Sequence, residues 1–421
     1  VVGTWLFALG SLATGAEVVV APGTGGALRE APASCGSGPL LYVDRGDPRP
    51  GDDALMRVRA GATEVVVPTL GPWRDASLVC AGDAPWLWMW RDDAQGEGEG
   101  VVTGLFPVVQ GALGAGVTLD GRWVDPRPSP SGDRIVVRED GGEGAQTLVE
   151  LGTRRSRPLG YGGTVSDGAW LPGSDVLVVV VDGESGPELT VWDPDSRDPA
   201  RHLAVGGKRP RPGTLALSPD GSRAAFTVGG DDAGLRIVDL DSGDVVRVPG
   251  PSARPVWSPS SRAVAAVGTH DGERELVVWR SNAHEQVVAR YTVPHSALGA
   301  FTEGEDALRA TWLGGGRLVL GSRWGTAPLR VLERGRLREL RVPDLALDTA
   351  ARTADGDLWT VDGGELWRIR STGRAVRVPV PVDAASVAVR PNDTVVVVAR
   401  SGEVVRLGPT RRDAAGPAPH R

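Results

Sequence analysis

The chain repeats one short pattern almost from end to end, and this repetition limits its fold more than any other feature. Ala224–Val248 (AAFTVGGDDAGLRIVDLDSGDVVRV) reads as an apolar run, a polar turn, an apolar run, an Asp-Ser-Gly turn and a third apolar run. Trp5–Glu30, Leu177–Leu203, Val264–Val293, Leu318–Leu340 and Leu358–Val380 keep the same order. Ile135–Leu159 and Leu40–Val67 follow it more loosely, Trp86–Val109 is the least regular, and Val395–Leu407 is shortened. Most copies are preceded by a further short run and a tight turn: TLALSPDG at Thr214–Gly221, PVWSPSS at Pro255–Ser261, RPSPSG at Arg127–Gly132, TAARTADG at Thr349–Gly356 and AVRPND at Ala388–Asp393. Pro presets φ in such a turn, and Gly or Asn supplies the positive φ.

Polar and apolar residues alternate over short spans, as in Arg236–Leu240, and Gly or Pro interrupts every window long enough for a helix. The expected unit is therefore four short antiparallel strands. Its period of about 40 residues is that of a β-propeller blade. The fold class expected is all-β, a propeller of about eight four-stranded blades within a range of seven to ten. Ten central hairpins can be marked. The first copy lacks a leading strand and the last lacks a trailing one, so the two ends look complementary and predict a shared blade. The irregular stretch Pro85–Val124 is expected to absorb the remaining excess. Residues 1–410 are expected to form one propeller domain, with 411–421 a disordered tail. The run Val1–Ala16 fits a strand hairpin better than a secretory remnant, since it lacks a basic leading region. The 59 glycines and 33 prolines are what many tight turns between short strands would need.

Ser218-Pro219-Asp220-Gly221 matches in full, and Trp257-Ser258-Pro259-Ser260 and Ser129-Pro130-Ser131-Gly132 in part, the Trp-Ser-Pro-Asp-Gly turn of bacterial propeller blades. The chain thus resembles the bacterial WD-like and TolB-type β-propeller repeats. That resemblance implies protein–protein contact in the cell envelope. The Gly-His…Trp-Asp set of eukaryotic repeats is missing, Trp192-Asp193 being the sole Trp-Asp pair.

Several constellations are candidates for function. Trp170, Trp257 and Trp312 each close a leading strand, where they would form an aromatic surface at the channel mouth or pack between neighbouring blades; Leu217 holds the same place in another copy. Trp86, Trp88 and Trp90 alternate, so all three face one way, toward a ligand or a neighbouring sheet. Acidic residues recur in the central turns, at Asp52-Asp53, Asp92-Asp93, Asp182-Gly183-Glu184, Asp231-Asp232 and Asp271-Gly272-Glu273. They would give one rim negative potential, or be ordinary turn chemistry. Arg154, Arg155, Arg157, Arg336, Arg338, Arg341, Arg374 and Arg377 fall on or beside trailing strands. Charge there blocks edge-to-edge pairing, or offers a basic contact patch. Cys35 and Cys80 lie in matching segments of adjacent units, which leaves a disulfide open.

The net charge of −7 argues against nucleic acid as a partner, and no run reaches the length of a membrane span. None of the five histidines sits at metal-site spacing, and no nucleophile elbow or phosphate loop occurs, so no cofactor or metal is expected and no catalytic residue is named. The leading expectation is a non-catalytic protein-binding or scaffold propeller, exported to the cell envelope or secreted, with Trp170, Trp257, Trp312, Asp231 and Asp232 as its weak binding candidates. Its alternatives are a propeller enzyme, such as a lyase, lactonase or quinone-dependent dehydrogenase with a channel-mouth site, and the sensor or ligand-binding part of a larger chain.

Overall fold

In the computed structural model, nearly every described residue belongs to a strand or to the turn joining two strands. The described residues are 16–20, 35, 40–44, 54–59, 62–68, 70–93, 100–140, 145–159, 164–196, 200–251, 253–270, 273–281, 286–292, 308–322, 328–333, 335–342, 345–347, 350–389, 393–399 and 404–407. Among them there is no α-helix, and therefore no helix long and apolar enough to cross a membrane. The two helical fragments are single 3₁₀ turns at Gly230–Asp232 and Gly314–Gly316, the latter leading into a strand as its glycines suggest.

The described strands form nine successive antiparallel sheets. Sheet 1 has three strands, Leu40–Asp44, Ala54–Arg59 and Ala62–Val67. Sheet 2 pairs Arg74–Ala81, Ala84–Asp93 and Gly100–Val109, with Ala112–Leu113 and Val117–Asp120 both added to the third strand. Sheet 3 comprises Trp123–Pro128, Arg134–Glu139, Gln146–Glu150 and Arg155–Pro158; sheet 4, Thr164–Trp170, Leu177–Gly183, Gly186–Trp192 and Arg201–Ala204. Sheet 5 comprises Ala216–Leu217, Arg223–Val228, Gly234–Asp239 and Val245–Pro249; sheet 6, Val256–Trp257, Ala263–His270, Glu273–Ser281 and Gln286–Thr292. Sheet 7 comprises Leu308–Trp312, Leu318–Ser322, Arg330–Glu333 and Arg336–Glu339; sheet 8, Ala351–Arg352, Leu358–Asp362, Glu365–Ile369 and Ala375–Val378. Sheet 9 joins Ala384–Val389, Val395–Ala399 and Val404–Leu407 to Ala16–Val20 from the other end of the chain, in the register Ala16 to Leu407. The complementary ends therefore do share a sheet, to which the first copy gives the strand Ala16–Val20; the rest of that copy lies outside the described residues. The irregular stretch around Pro85–Val124 is the five-stranded sheet 2. The proposed hairpin of Val1–Ala16, apart from Ala16, and the tail lie outside the described residues.

The uninterrupted apolar runs follow from how these sheets pack. Alternate residues of a strand point to opposite faces. In sheet 3, Ile135 and Val137 pack with Trp86 and Trp88 of sheet 2, while Val136 between them packs with Val165 and Leu177 of sheet 4. In sheet 4, Leu177, Val179 and Val181 face sheet 3, while Val178 and Val180 face Phe226 of sheet 5. Similar clusters join each later sheet to the next as far as sheet 9. In sheets 4, 5 and 9 both faces of the second strand are buried over most of its length, so its run is largely apolar. Ala16–Val20 of sheet 9 touches the second and third strands of sheet 1.

The turn motif has a specific job. The Ser218 N–H donates to Arg223 O at 2.8 Å, its hydroxyl accepts from Arg223 N at 2.9 Å, and Gly221 at φ 72° returns its N–H to Ser218 O at 2.8 Å. Ser129 and Ser258 make the same bonds in their own sheets, with Gly132 and Ser261 at positive φ. All three serines are buried. Neighbouring turns are also tied to one another. Ser131 N donates to Asp175 Oδ1 at 3.0 Å, Asp220 N to Ser261 Oγ at 3.0 Å, Gly314 N to Gly356 O at 2.9 Å and Ala354 N to Asp393 Oδ1 at 2.7 Å. One end of the sheet stack is thus stitched turn to turn. Cys35 and Cys80 are joined in a disulfide with Cα atoms 5.1 Å apart, which resolves the open question and fastens the segment before sheet 1 to the first strand of sheet 2.

Candidate functional site

Trp170, Trp257 and Trp312 end the first strands of sheets 4, 6 and 7. Each indole N–H donates to a carbonyl on the first strand of the preceding sheet. Trp170 reaches Arg127 O at 2.9 Å, Trp257 reaches Ala216 O at 3.0 Å, and Trp312 reaches Val256 O at 2.9 Å. Trp257 and Trp312 are buried and Trp170 is half-buried. A buried indole needs a partner for its N–H, and here the partner is backbone across the gap between sheets. Leu217, at the same place in sheet 5, packs there without a hydrogen bond to offer. Trp86 and Trp88 fill the sheet 2–sheet 3 gap, whereas Trp90 stands at its margin, donating to Asp75 Oδ2 at 3.0 Å under the Arg122 guanidinium.

Asp167 was not foreseen from the sequence. It lies on the first strand of sheet 4 at 1% exposure, and a bulge between Val165 and Asp167 aims its carboxylate along the row of first strands. Its Oδ1 accepts from Arg127 Nη1 of sheet 3 at 2.6 Å and from its neighbour Gly168 N at 2.9 Å, and its Oδ2 accepts from Leu215 N, at the entrance to sheet 5, at 2.8 Å. One carboxylate thereby ties three sheets. Its partners lie 40 and 48 residues away, so no local spacing marks it. The one visible signal is a charged residue within an otherwise uncharged leading strand.

Asp231 and Asp232 form the 3₁₀ turn between the second and third strands of sheet 5. Asp231 pairs with Lys208, which holds its carboxyl below the ordinary range. Asp232 pairs with Arg236, a fully buried arginine. Burial lowers the Arg236 pKa against the opposing pull of Asp232. Arg236 stands directly across from Arg247 on the next strand, a like-charge pairing that costs stability unless an anion intervenes. The connection Val205–Lys208 covers the pair: Val205 O accepts from Arg247 Nη2 at 3.3 Å. A Cβ at Gly206, where φ is 68°, would lie 2.7 Å from that nitrogen. Asp182 of sheet 4 meets Arg209, the residue that follows this connection, at 3.3 Å. The acidic turns of sheets 4 and 5 are thus matched by cations from the chain linking the two sheets. Asp92 lies at the exposed end of its strand, and Asp52, Asp53 and Asp271 fall outside the described residues.

The outer-edge arginines sit where expected, on or beside the last strands of sheets 3, 7 and 8. Most are engaged. Arg157 lies over the Trp192 ring at 4.4 Å, Arg377 meets Glu365 at 2.9 Å and Arg338 meets Glu333 at 3.8 Å. Arg341 and Arg374 are exposed and have no ion pair among the described residues. They flank a groove of about 570 Å³ between sheets 7 and 8. Among the described residues, no three His, Cys, Asp or Glu side chains converge as metal donors.

Successive four-stranded antiparallel sheets, packed face to face, are the architecture of a β-propeller. Solved structures similar to this chain are TolB-type and other propeller proteins. A eukaryotic initiation factor aligns at a TM-score of 0.55 and 10% identity, over 83% of this chain and 88% of that one. TolB from Acinetobacter baumannii aligns at a TM-score of 0.35 and 16% identity over 62% of this chain, which spans 65% of TolB. An oligogalacturonate lyase in complex with manganese aligns at 0.41 and 16% identity, over 61% of this chain and 74% of that one. At 10% identity the likeness to the initiation factor extends to the fold alone. No protein-family model matches the chain, and no curated protein is similar to it in sequence.

Proposed function

We propose that the chain is a non-catalytic protein-binding scaffold, a single propeller ring closed by the shared strands of sheet 9. The nine sheets are read as nine blades of residues 1–410, one more than the eight expected, with 411–421 as a tail. One contrast carries the reading. Polar groups on the inner strands and central turns are spent within the fold, on a neighbouring sheet, on the linker or on their own sheet, whereas the partner-free charges Arg341 and Arg374 lie on the outer edge, within reach of a macromolecule. In this reading Trp170, Trp257, Trp312, Asp231 and Asp232 hold the scaffold rather than a ligand. The disulfide suits an oxidising compartment and supports an exported, extracytoplasmic location.

The test is isolation of the chain from cell-envelope extract, with its complexes sized and its metal content measured. A protein bound at fixed stoichiometry is the expected result. A stoichiometric ion and no bound protein would refute the scaffold reading in favour of channel chemistry.

A further inference from the structure

The last strand of sheet 7, Arg336–Glu339, has no strand on its outer side among the described residues. Its ladder shows which backbone groups are free. Leu340 N donates to Leu329 O at 2.8 Å, and the register pairs Arg338 with Val331 and Arg336 with Glu333. Hydrogen-bonded and non-bonded pairs alternate in an antiparallel ladder. The N–H and C=O groups of Leu337 and Glu339 therefore point away from the sheet.

The groove beside this edge is lined by Arg338, Glu339 and Arg341 on one side and by Thr372 and Arg374, from a turn of sheet 8, on the other. Glu339 does not neutralise it, because its carboxylate is taken at 2.9 Å by Arg330, a buried arginine of the adjacent strand. Arg338 meets Glu333 at 3.8 Å and donates to Gly373 O at 3.4 Å, which still leaves guanidinium donors for a further acceptor. The side chains of Arg341 and Arg374 have neither ion pair nor hydrogen bond among the described residues. Edge protection does not account for these two. Arg341 follows the strand, and Arg374 belongs to the neighbouring sheet, so neither covers the open ladder groups. Three guanidinium groups around one groove, in a chain of net charge −7, mark a place where negative charge is wanted.

We propose that this edge docks an acidic polypeptide segment, which adds as a further strand to Arg336–Glu339. Its backbone bonds to Leu337 and Glu339, and its carboxylates meet Arg338, Arg341 and Arg374. The proposal rests on the protein-binding reading and names the chemistry of the partner. A peptide uses both features together: strand addition supplies main-chain bonds, and arginine grips carboxylates in a two-pronged geometry. Polyphosphate or an acidic polysaccharide would meet the guanidinium groups and leave the open ladder unused.

The test is fluorescence anisotropy of a labelled peptide of alternating Glu and Val on the full chain. The double variant Arg341→Glu/Arg374→Glu weakens binding by about tenfold or more, as loss of charge-paired contacts does. Arg154→Glu, at the edge of sheet 3, leaves binding unchanged. Methylating alternate backbone nitrogens of the peptide abolishes it. Binding of the methylated peptide at full strength, equal competition by polyphosphate, or indifference to the double variant overturns the proposal. If the peptide does not bind while the chain still forms its envelope complex, the docking site alone falls; if that complex is missing too, the scaffold reading falls with it.

Discussion

Asp167→Ala probes how the inner strands are joined, and its cost follows from what it leaves behind. The Leu215 N–H, at a residue 1% exposed, loses its acceptor across the sheet 4–sheet 5 gap. An unsatisfied buried donor costs about 1–3 kcal/mol. Arg127 loses its carboxylate but not all solvation, since its side chain is 27% exposed and still reaches Gly168 O. That part adds only about 1 kcal/mol, as for a pair open to water. The sum is about 2–4 kcal/mol. At about 1.4 kcal/mol per factor of ten, exchange of the Leu215 amide hydrogen quickens by roughly two orders of magnitude. Hydrogen–deuterium exchange over residues 210–217 reads this directly. Arg127→Met is expected to cost more, about 3–5 kcal/mol, because the charge it strands is the one at 1% exposure. The urea midpoints of both single variants and the double variant supply the order. If Asp167→Ala proves the costlier single change, or if the two effects simply add, the carboxylate is not the node that joins the three sheets.

Three further outcomes are expected. Gly356→Ala should cost well over the ~1–2 kcal/mol of placing Ala at positive φ, because its Cβ would lie 2.3 Å from Gly314 N in the turn-to-turn bond; Gly335→Ala, at φ 77° with open space, should cost only the conformational part, and paired thermal melts separate the two. Reducing the disulfide, which spans 45 residues, should remove about 4 kcal/mol on a chain-entropy estimate, seen as a lower urea midpoint in reductant. Burial of Asp220 raises its pKa, but hydrogen bonds from Ser218, Ser222 and Ser261 outweigh this and leave it below the ordinary value; the Ser242 backbone N–H lowers that of Asp239. The unfolded chain therefore binds more protons in acid, so their contribution is full above about pH 4 and is lost as pH falls through the depressed values. Asp220→Asn should flatten the urea midpoint against pH in that window.

What could be read from the sequence was whatever repeats. The Ser-Pro-Asp-Gly turn shows in the residues because one buried serine makes all of its bonds within five residues. Trp170, Trp257 and Trp312 were placed correctly at strand ends, and both roles stayed open because the deciding carbonyl lies on another sheet. Non-local pairings were out of reach. Asp167 and Arg127 share no repeat position, and the groove beside Arg341 exists only where two sheets meet. The junction of Ala16–Val20 with Val404–Leu407 was visible as two incomplete copies, though not its register.

The packing itself leaves the outer strands freer to vary than the inner ones. Val136 faces sheet 4 while Ile135 and Val137 face sheet 2, so a change in that strand disturbs two interfaces. Val178 and Val179 divide in the same way between sheets 5 and 3. A new side chain there must fit two neighbours, and overpacking a filled interior costs about 1–3 kcal/mol. Last strands such as Arg155–Pro158 and Arg336–Glu339 are largely exposed and lack this double constraint. A stack of similar sheets can therefore acquire a distinct surface most readily by varying its edges and connections. The groove between sheets 7 and 8 is such a place: its charges are not needed to hold the sheets together, so exchanging Arg341 and Arg374 for glutamate should leave the fold standing while it reverses what the edge attracts.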